Sequence, residues 1–198
     1  MIYTMSSEKS ETRTRILKTT VQMLEESGGW GVRMADIAKA AGISRQAVYL
    51  HFASRADLLC ATTTYRDEEL DLDARLAPSR RAESGVERLA LYVEFWGNYI
   101  PEIYGVAKAL ILVQDTDEAA AVAWKGRMTA MREGCRAAVD ALYSDGTLAT
   151  HWTRQSATDA LWTMLSVANW EQLTIDCGWS NQQYVDRMKM LAEKTLLS

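Results

Sequence analysis

Proline is nearly absent, with Pro78 and Pro101 the only two in 198 residues. An all-β chain would show a turn signal every eight to twelve residues or so, and this one does not. Histidine is as scarce: His51 and His151 are the only two. No apolar run approaches the roughly 18 residues of a membrane span, which points to a soluble protein with no membrane partner. Met1–Ser10 lacks the charged-then-apolar pattern of a secretion signal, so a cytoplasmic location is expected. Three scattered cysteines, Cys60, Cys135 and Cys177, are an odd set that suits free thiols in a reducing compartment better than a disulfide framework. Positive charge is also short. The net charge of −4 argues against non-specific nucleic-acid binding by the whole surface, though not against a local basic module.

Such a module has a place. Residues 1–60 carry eight basic and six acidic side chains, and the other 138 carry 14 and 20. What is abundant is helical periodicity. From Ser10, the residues Ile16, Leu17, Val21 and Leu24 fall on one helical face, after an opening stretch read as flexible, and Gly28-Gly29 terminates the helix. Short helices follow over Met34–Ala41 and Ser44–His51, the second N-capped by Ser44. Ser54-x-x-Asp57 fits a capping box opening a long helix towards Pro78. Five more helices are expected near 84–99, 101–114, 117–143, 154–177 and 181–196. Asp115-x-x-Glu118 and Ser180-x-x-Gln183 serve as N-terminal boxes, and Gly178 as a C-terminal stop. About nine helices and no strand make an all-α protein.

The segment Ile37–Tyr49 is a helix-turn-helix candidate: two short helices joined by a turn containing Gly. Ala38 is small where the helices cross, Gly42 tolerates φ > 0, and Ile37, Ile43 and Val48 fill the wedge. That leaves Arg45, Gln46 and Tyr49 to project outward. In a major groove Arg45 reaches guanine O6 and N7, and Gln46 reaches adenine N6 and N7. Tyr49, His51 and Arg55 suit phosphate or sugar. Alternatives stay open: core packing for Tyr49, packing beside Phe52 for His51, plain solvation for Lys39, and backbone gripping or solvation for Arg13 and Arg15.

The run MADIAKAAGISRQAVYLHFASRADLL, Met34 to Leu59, resembles the DNA-binding segment of the TetR family of bacterial one-component repressors. The likeness rests on Ile37-Ala38, Ala41-Gly42-Ile43-Ser44, Tyr49-x-His51-Phe52 and Arg55-x-x-Leu58-Leu59. It departs at Arg33-Met34-Ala35, where family members commonly carry Thr beside a basic residue. The resemblance implies a three-helix DNA-binding domain at 1–58, with Lys39, Ser44, Arg45, Gln46, Tyr49, His51 and Arg55 meeting DNA. A helical domain at 59–198 would bind a small-molecule effector and dimerise. A dimer on a palindromic double-stranded operator, repressing until the effector binds, is the expected activity. The alternatives are a ligand-insensitive architectural or adaptor protein whose second domain only dimerises, and a ligand binder with a vestigial DNA module.

Beyond residue 60 the sequence gives no catalytic constellation: no H-E-x-x-H, C-x-x-C, G-x-S-x-G or phosphate-loop spacing occurs. No enzyme, cofactor or metal is therefore expected. Six of the seven tryptophans lie beyond residue 95. Tyr92, Trp96, Tyr99, Tyr104, Trp124, Met128, Met131 and Trp162 are the candidate pocket walls, with simple core filling as the alternative. Lys108 is the only basic residue between Arg88 and Lys125, so a polyanion would be poorly compensated. A small, largely apolar effector, neutral or weakly cationic and helped by Glu94 or Glu102, is expected instead. For the dimer, Leu161, Leu165, Ala168 and Gln172 form one stripe and Tyr184, Met188, Leu191 and Thr195 another, with a monomer core as the alternative.

Overall fold

The computed structural model describes residues 2–198, with side chains from Glu8 onward. Its helices are α1 (Ile2–Glu26), α2 (Met34–Ala40), α3 (Arg45–Tyr49), α4 (Arg55–Glu69), α5 (Leu72–Arg80), α6 (Gly85–Ile111), α7 (Glu118–Ser144), α8 (Arg154–Met164), α9 (Val167–Glu171) and α10 (Asn181–Leu196). A π-helical turn over Gln172–Asp176 continues α9. Among the described residues the only β pairing is an isolated bridge between Leu148 and Leu197. None of the helices described is long and apolar enough to cross a membrane.

The all-α class holds, while several boundaries move. Helix α1 begins at Ile2, not Ser10, because nothing from there to Glu26 is Gly or Pro. Arg13 and Arg15 therefore stand on a helix instead of a flexible arm. The expected long helix from Ser54 breaks at Asp71, whose φ of 50° is left-handed, and Pro78 lies inside α5. The two helices expected on either side of Ile100 are one, because α6 passes through Pro101. The helix expected over 154–177 stops at Met164, and Ser166 caps α9 by accepting from the Asn169 amide. The cap of α7 is Asp117, whose carboxylate accepts from the Ala120 amide at 3.1 Å, rather than a box at Asp115. The boxes at Ser54 and Ser180 are both formed.

The chain divides into two compact units: Met1–Leu70 with Ile103–Lys125, and Asp71–Glu102 with Gly126–Ser198. The segment 1–58 lies inside the first, which also takes in α4 and the adjoining parts of α6 and α7. Its core joins Ile16, Leu17 and Leu24 of α1 to Ile37 of α2, Val48 of α3, Leu58 and Leu59 of α4, and Val106 and Leu110 of α6. Close backbone approach anchors this packing. A Cβ on Gly29 would lie 2.6 Å from the Gly105 carbonyl, and one on Gly105 would strike the Leu24 carbonyl.

In the second unit the first part of α6 runs antiparallel along α7. A Cβ on Gly85 would lie 2.5 Å from the Leu142 amide, and Tyr92 Oη donates to the Met131 carbonyl at 2.8 Å. Helix α10 closes on α6 at Gly97, where a Cβ would lie 2.7 Å from Val185 Cγ2. The chain end is tied by the Ala149 amide to the Leu196 carbonyl at 2.9 Å and by Trp152 Nε1 to the Thr195 carbonyl at 2.6 Å.

Candidate nucleic-acid interface

Helices α2 and α3 meet through a tight turn. The Ala41 amide donates to the Ile37 carbonyl at 2.8 Å and the Ile43 amide to the Ala38 carbonyl at 3.0 Å, with Gly42 between them at φ 69°. Ala38 and Val48 are buried at the crossing, as their sizes demand. Ser44 Oγ accepts from the Ala47 amide at 3.1 Å, which caps α3 and leaves the hydroxyl proton for an outside acceptor. Helix α3 ends at Tyr49, short of His51, where the His51 and Phe52 amides both turn back to the Val48 carbonyl.

One face of this unit carries the polar tips. Lys39, Ser44, Arg45 and Gln46 are exposed, and Tyr49 is 40% exposed, which removes core packing as its role. Arg45 Nη2 donates to Tyr49 Oη at 3.4 Å, and the guanidinium carbon lies 5.6 Å from the Tyr49 ring centroid. Arg55 is half-buried and pinned, its Nε donating to the Val32 carbonyl at 3.2 Å. Arg33, Arg45, Tyr49 and Arg55 line a shared groove of about 620 Å³. Arg33, the N-cap residue of α2, is exposed, which leaves its charge facing outward.

His51 is half-buried, with its ring 6.5 Å from that of Phe52. Burial, then the charges of Lys9 and Arg13, push its pKa below the ordinary 6.5, so it is neutral at pH 7. Arg13 lies over the Phe52 ring at 5.0 Å. Two outward residues escaped the reading of the sequence. Leu50 is 74% exposed at the end of α3, and Arg33 joins the groove through a loop. Spacing conceals Leu50: it falls seven residues after Ile43 and three after Ala47, where a core residue would equally stand.

The other candidate residues divide. Tyr104 and Trp124 lie in the first unit, and Trp124 packs at the edge of its core. Tyr92, Trp96, Tyr99, Met128, Met131 and Trp162 lie in the second. There Trp96 meets Tyr92 and Tyr99 edge-on at 6.3 and 5.7 Å, and Phe95 stacks on Tyr99 at 5.1 Å. Tyr92, Tyr99 and Met131 are buried, Met128 half-buried. The Arg75 guanidinium lies 5.2 Å from the Tyr99 centroid and makes a two-pronged bond to Glu102. Lys189 pairs with Glu94 at 2.6 Å. Both carboxylates once offered to a cation are thus engaged. Trp162 Nε1 and Tyr184 Oη are shielded from solvent and have no hydrogen-bond partner among the described residues.

The proposed dimer stripes divide as well. Leu161, Leu165, Tyr184 and Met188 are at most 2% exposed within the single chain, because they face its own core. They cannot meet a partner. Ala168, Gln172 and Leu191 point outward, joined by Ile175 at 53% exposure.

Comparison with known proteins agrees with this geometry. Residues 16–62 match the profile of the bacterial regulatory proteins, tetR family. The nucleoid occlusion factor SlmA of Marinomonas sp. (strain MWYL1) is 39% identical over 66 residues, 33% of this chain and 34% of that protein. The HTH-type transcriptional regulator CymR of Pseudomonas putida is 29% identical over 119 residues, 59% of this chain and 57% of CymR. The chain thus spans between a third and three fifths of these curated relatives. A structure from Saccharomonospora viridis, solved in complex with choline, superposes with a TM-score of 0.81 at 19% identity, covering 96% of this chain and 99% of that one. At that identity the likeness is one of fold.

Proposed function

Because this chain belongs to the TetR family of bacterial regulatory proteins, we propose that it is a transcriptional repressor that binds a palindromic operator as a homodimer and is released by a small molecule. The observation that carries the reading is the outward row of Arg45, Gln46, Tyr49 and Leu50 on a helix whose inner residue, Val48, is wholly buried. A rigidly backed helix with base-reading tips is what a major groove admits. Arg45 takes a guanine, Gln46 an adenine, and Leu50 offers an apolar contact to a thymine methyl. Arg33, Arg55, Lys39 and the Ser44 hydroxyl hold phosphates, and His51 does so when protonated.

Two-fold symmetry follows from the shortness of α3, whose few exposed tips read only a few base pairs. The partner face is assigned to Ala168, Gln172, Ile175 and Leu191, the outward positions of α9, the π turn and α10. Selection from random duplexes, followed by anisotropy titration, tests the reading. The expected product is an inverted repeat with half-site centres about 10 bp apart, bound by two chains. An unselective protein, or one chain per site, overturns it.

The effector is placed among Tyr92, Trp96, Tyr99, Met128, Met131 and Trp162 of the second unit. It is small, largely apolar, and neutral or weakly cationic. Two observations support that class. Phe95 and Tyr99 already hold the Arg75 cation on their faces, and the structural neighbour from S. viridis was solved with choline. The shielded Trp162 Nε1 and Tyr184 Oη favour a ligand with a hydrogen-bond acceptor. Operator release is to be measured against quaternary ammonium compounds, neutral aromatics and polyanions. Release by polyanions alone, or by none of the three, overturns this part.

A further inference from the structure

We propose that Tyr49 is a positioning residue that fixes Arg45 for base reading. This rests on the reading of α3 as the recognition helix, and it assigns Tyr49 a task that a phosphate contact alone does not include. Arg45 opens α3 and Tyr49 closes it, four residues apart and so on one face. The guanidinium lies 5.6 Å from the ring centroid and Nη2 donates to Oη at 3.4 Å, so the charge and one prong of the fork are held by the same side chain. Neither residue is needed inside the protein: Arg45 is exposed and Tyr49 40% exposed.

The chemistry suits base reading. A guanidinium has five N–H donors, and the bond to Tyr49 uses one of the two protons on Nη2, which leaves the other Nη2 proton and its neighbouring nitrogen as a two-pronged edge for an outside acceptor pair. A long, mobile arginine loses rotamer freedom when it grips guanine O6 and N7. One already held against a ring on its own helix loses less, and the difference appears as discrimination at that base. The neighbouring arginines are held in other ways. Arg55 bonds to a loop carbonyl and Arg13 lies over Phe52, outside α3. The Tyr49 hydroxyl accepts from Arg45 and keeps its own proton, which can still go to a phosphate oxygen. A positioning role and a phosphate role therefore separate by substitution.

Operator duplexes varied one position at a time would be titrated with the full chain and with Tyr49→Phe, Tyr49→Leu, Arg45→Ala and the double variant Arg45→Ala/Tyr49→Leu. Circular dichroism would check each fold. Tyr49→Leu is expected to lower discrimination about 2–5-fold at the single half-site position that Arg45→Ala erases. Tyr49→Phe, which keeps the ring, retains most of it. In the Arg45→Ala background, Tyr49→Leu has no further effect on that discrimination. A loss equal at every operator variant, or the same loss in both backgrounds, would make Tyr49 a phosphate contact only and overturn the proposal. A wild-type chain without base preference overturns both this proposal and the reading of α3. One that selects an operator while Tyr49→Leu keeps full discrimination overturns this proposal alone. A measurement without DNA stands beside these: Arg45 side-chain Nε–Hε order by NMR relaxation is expected to fall in Tyr49→Leu, and unchanged order counts against positioning.

Discussion

His51 links protonation to two quantities of opposite sign. Its pKa is depressed in the folded chain by burial and by Lys9 and Arg13, so the native state disfavours the imidazolium. The unfolded chain binds that proton more readily. The contribution to stability is therefore complete above pH 6.5 and is lost as pH falls through that value towards the lower folded pKa. On the proposed phosphate role operator affinity should move the other way, because the imidazolium would add a charge beside phosphate. Between pH 7.5 and 5.5, roughly the range in which histidines titrate, affinity should rise while thermal stability falls, and His51→Gln should flatten both trends. An affinity profile identical in His51→Gln would reduce His51 to packing beside Phe52. Arg55 gives a simpler test: Arg55→Ala should weaken binding to all sequences alike and lower the salt slope by about one. A loss confined to one operator position would contradict the phosphate role.

Helix α7 carries two glycines for which the same substitution has opposite consequences. At Gly126 a Cβ meets nothing within 4 Å, so Gly126→Ala should stabilise the chain by about 0.5–1 kcal/mol through backbone entropy alone. At Gly134 a Cβ would strike the Tyr92 hydroxyl, which donates to the Met131 carbonyl. Gly134→Ala should therefore cost about 1–3 kcal/mol as α6 and α7 shift apart. Differential scanning calorimetry of the two variants decides it, and a shift of the same sign in both would refute the account of this crossing. At α3 the cap matters more than usual, because the helix is short. Ser44→Ala leaves the Ala47 amide without its acceptor and should cost about 1 kcal/mol, or about 2–4 °C in Tm.

At the scale of the whole molecule, the chain crosses between its two compact units after Leu70, Glu102 and Lys125. Each crossing lies beside a residue that weakens a helix: Asp71 with its positive φ, Pro101 without an amide proton, and Gly126. Assembly is tested by two aspartates. Leu165 is wholly buried, so Leu165→Asp places an unpaired charge in the core and should abolish cooperative folding. Ile175 is 53% exposed on the proposed partner face, so Ile175→Asp should fold with native helicity, run as a monomer and lose tight operator binding. A soluble, folded monomer from Leu165→Asp, or a dimer from Ile175→Asp, would move the interface elsewhere.

The helix-turn-helix is legible in residue order alone, because every constraint there is local. Ala38, Gly42, Ser44 and Val48 act within a few residues of one another, and the structure places each as its chemistry requires. The same holds for the capping boxes at Ser54 and Ser180. Which neighbour each apolar stripe meets is settled by long-range packing instead. Leu161 and Tyr184 have the spacing of an interface and of a core alike, and only packing sends them inward. Pro101 reads as a break because it removes one backbone bond, yet side-chain burial along α6 on both sides, from Tyr99 and Ile100 to Val106, outweighs that bond. Asp71 gives no comparable warning, since a single left-handed residue leaves no mark on the helical spacing around it. Periodicity records that a residue is apolar and on which face; burial is a property of two surfaces, and the second lies far away in the chain.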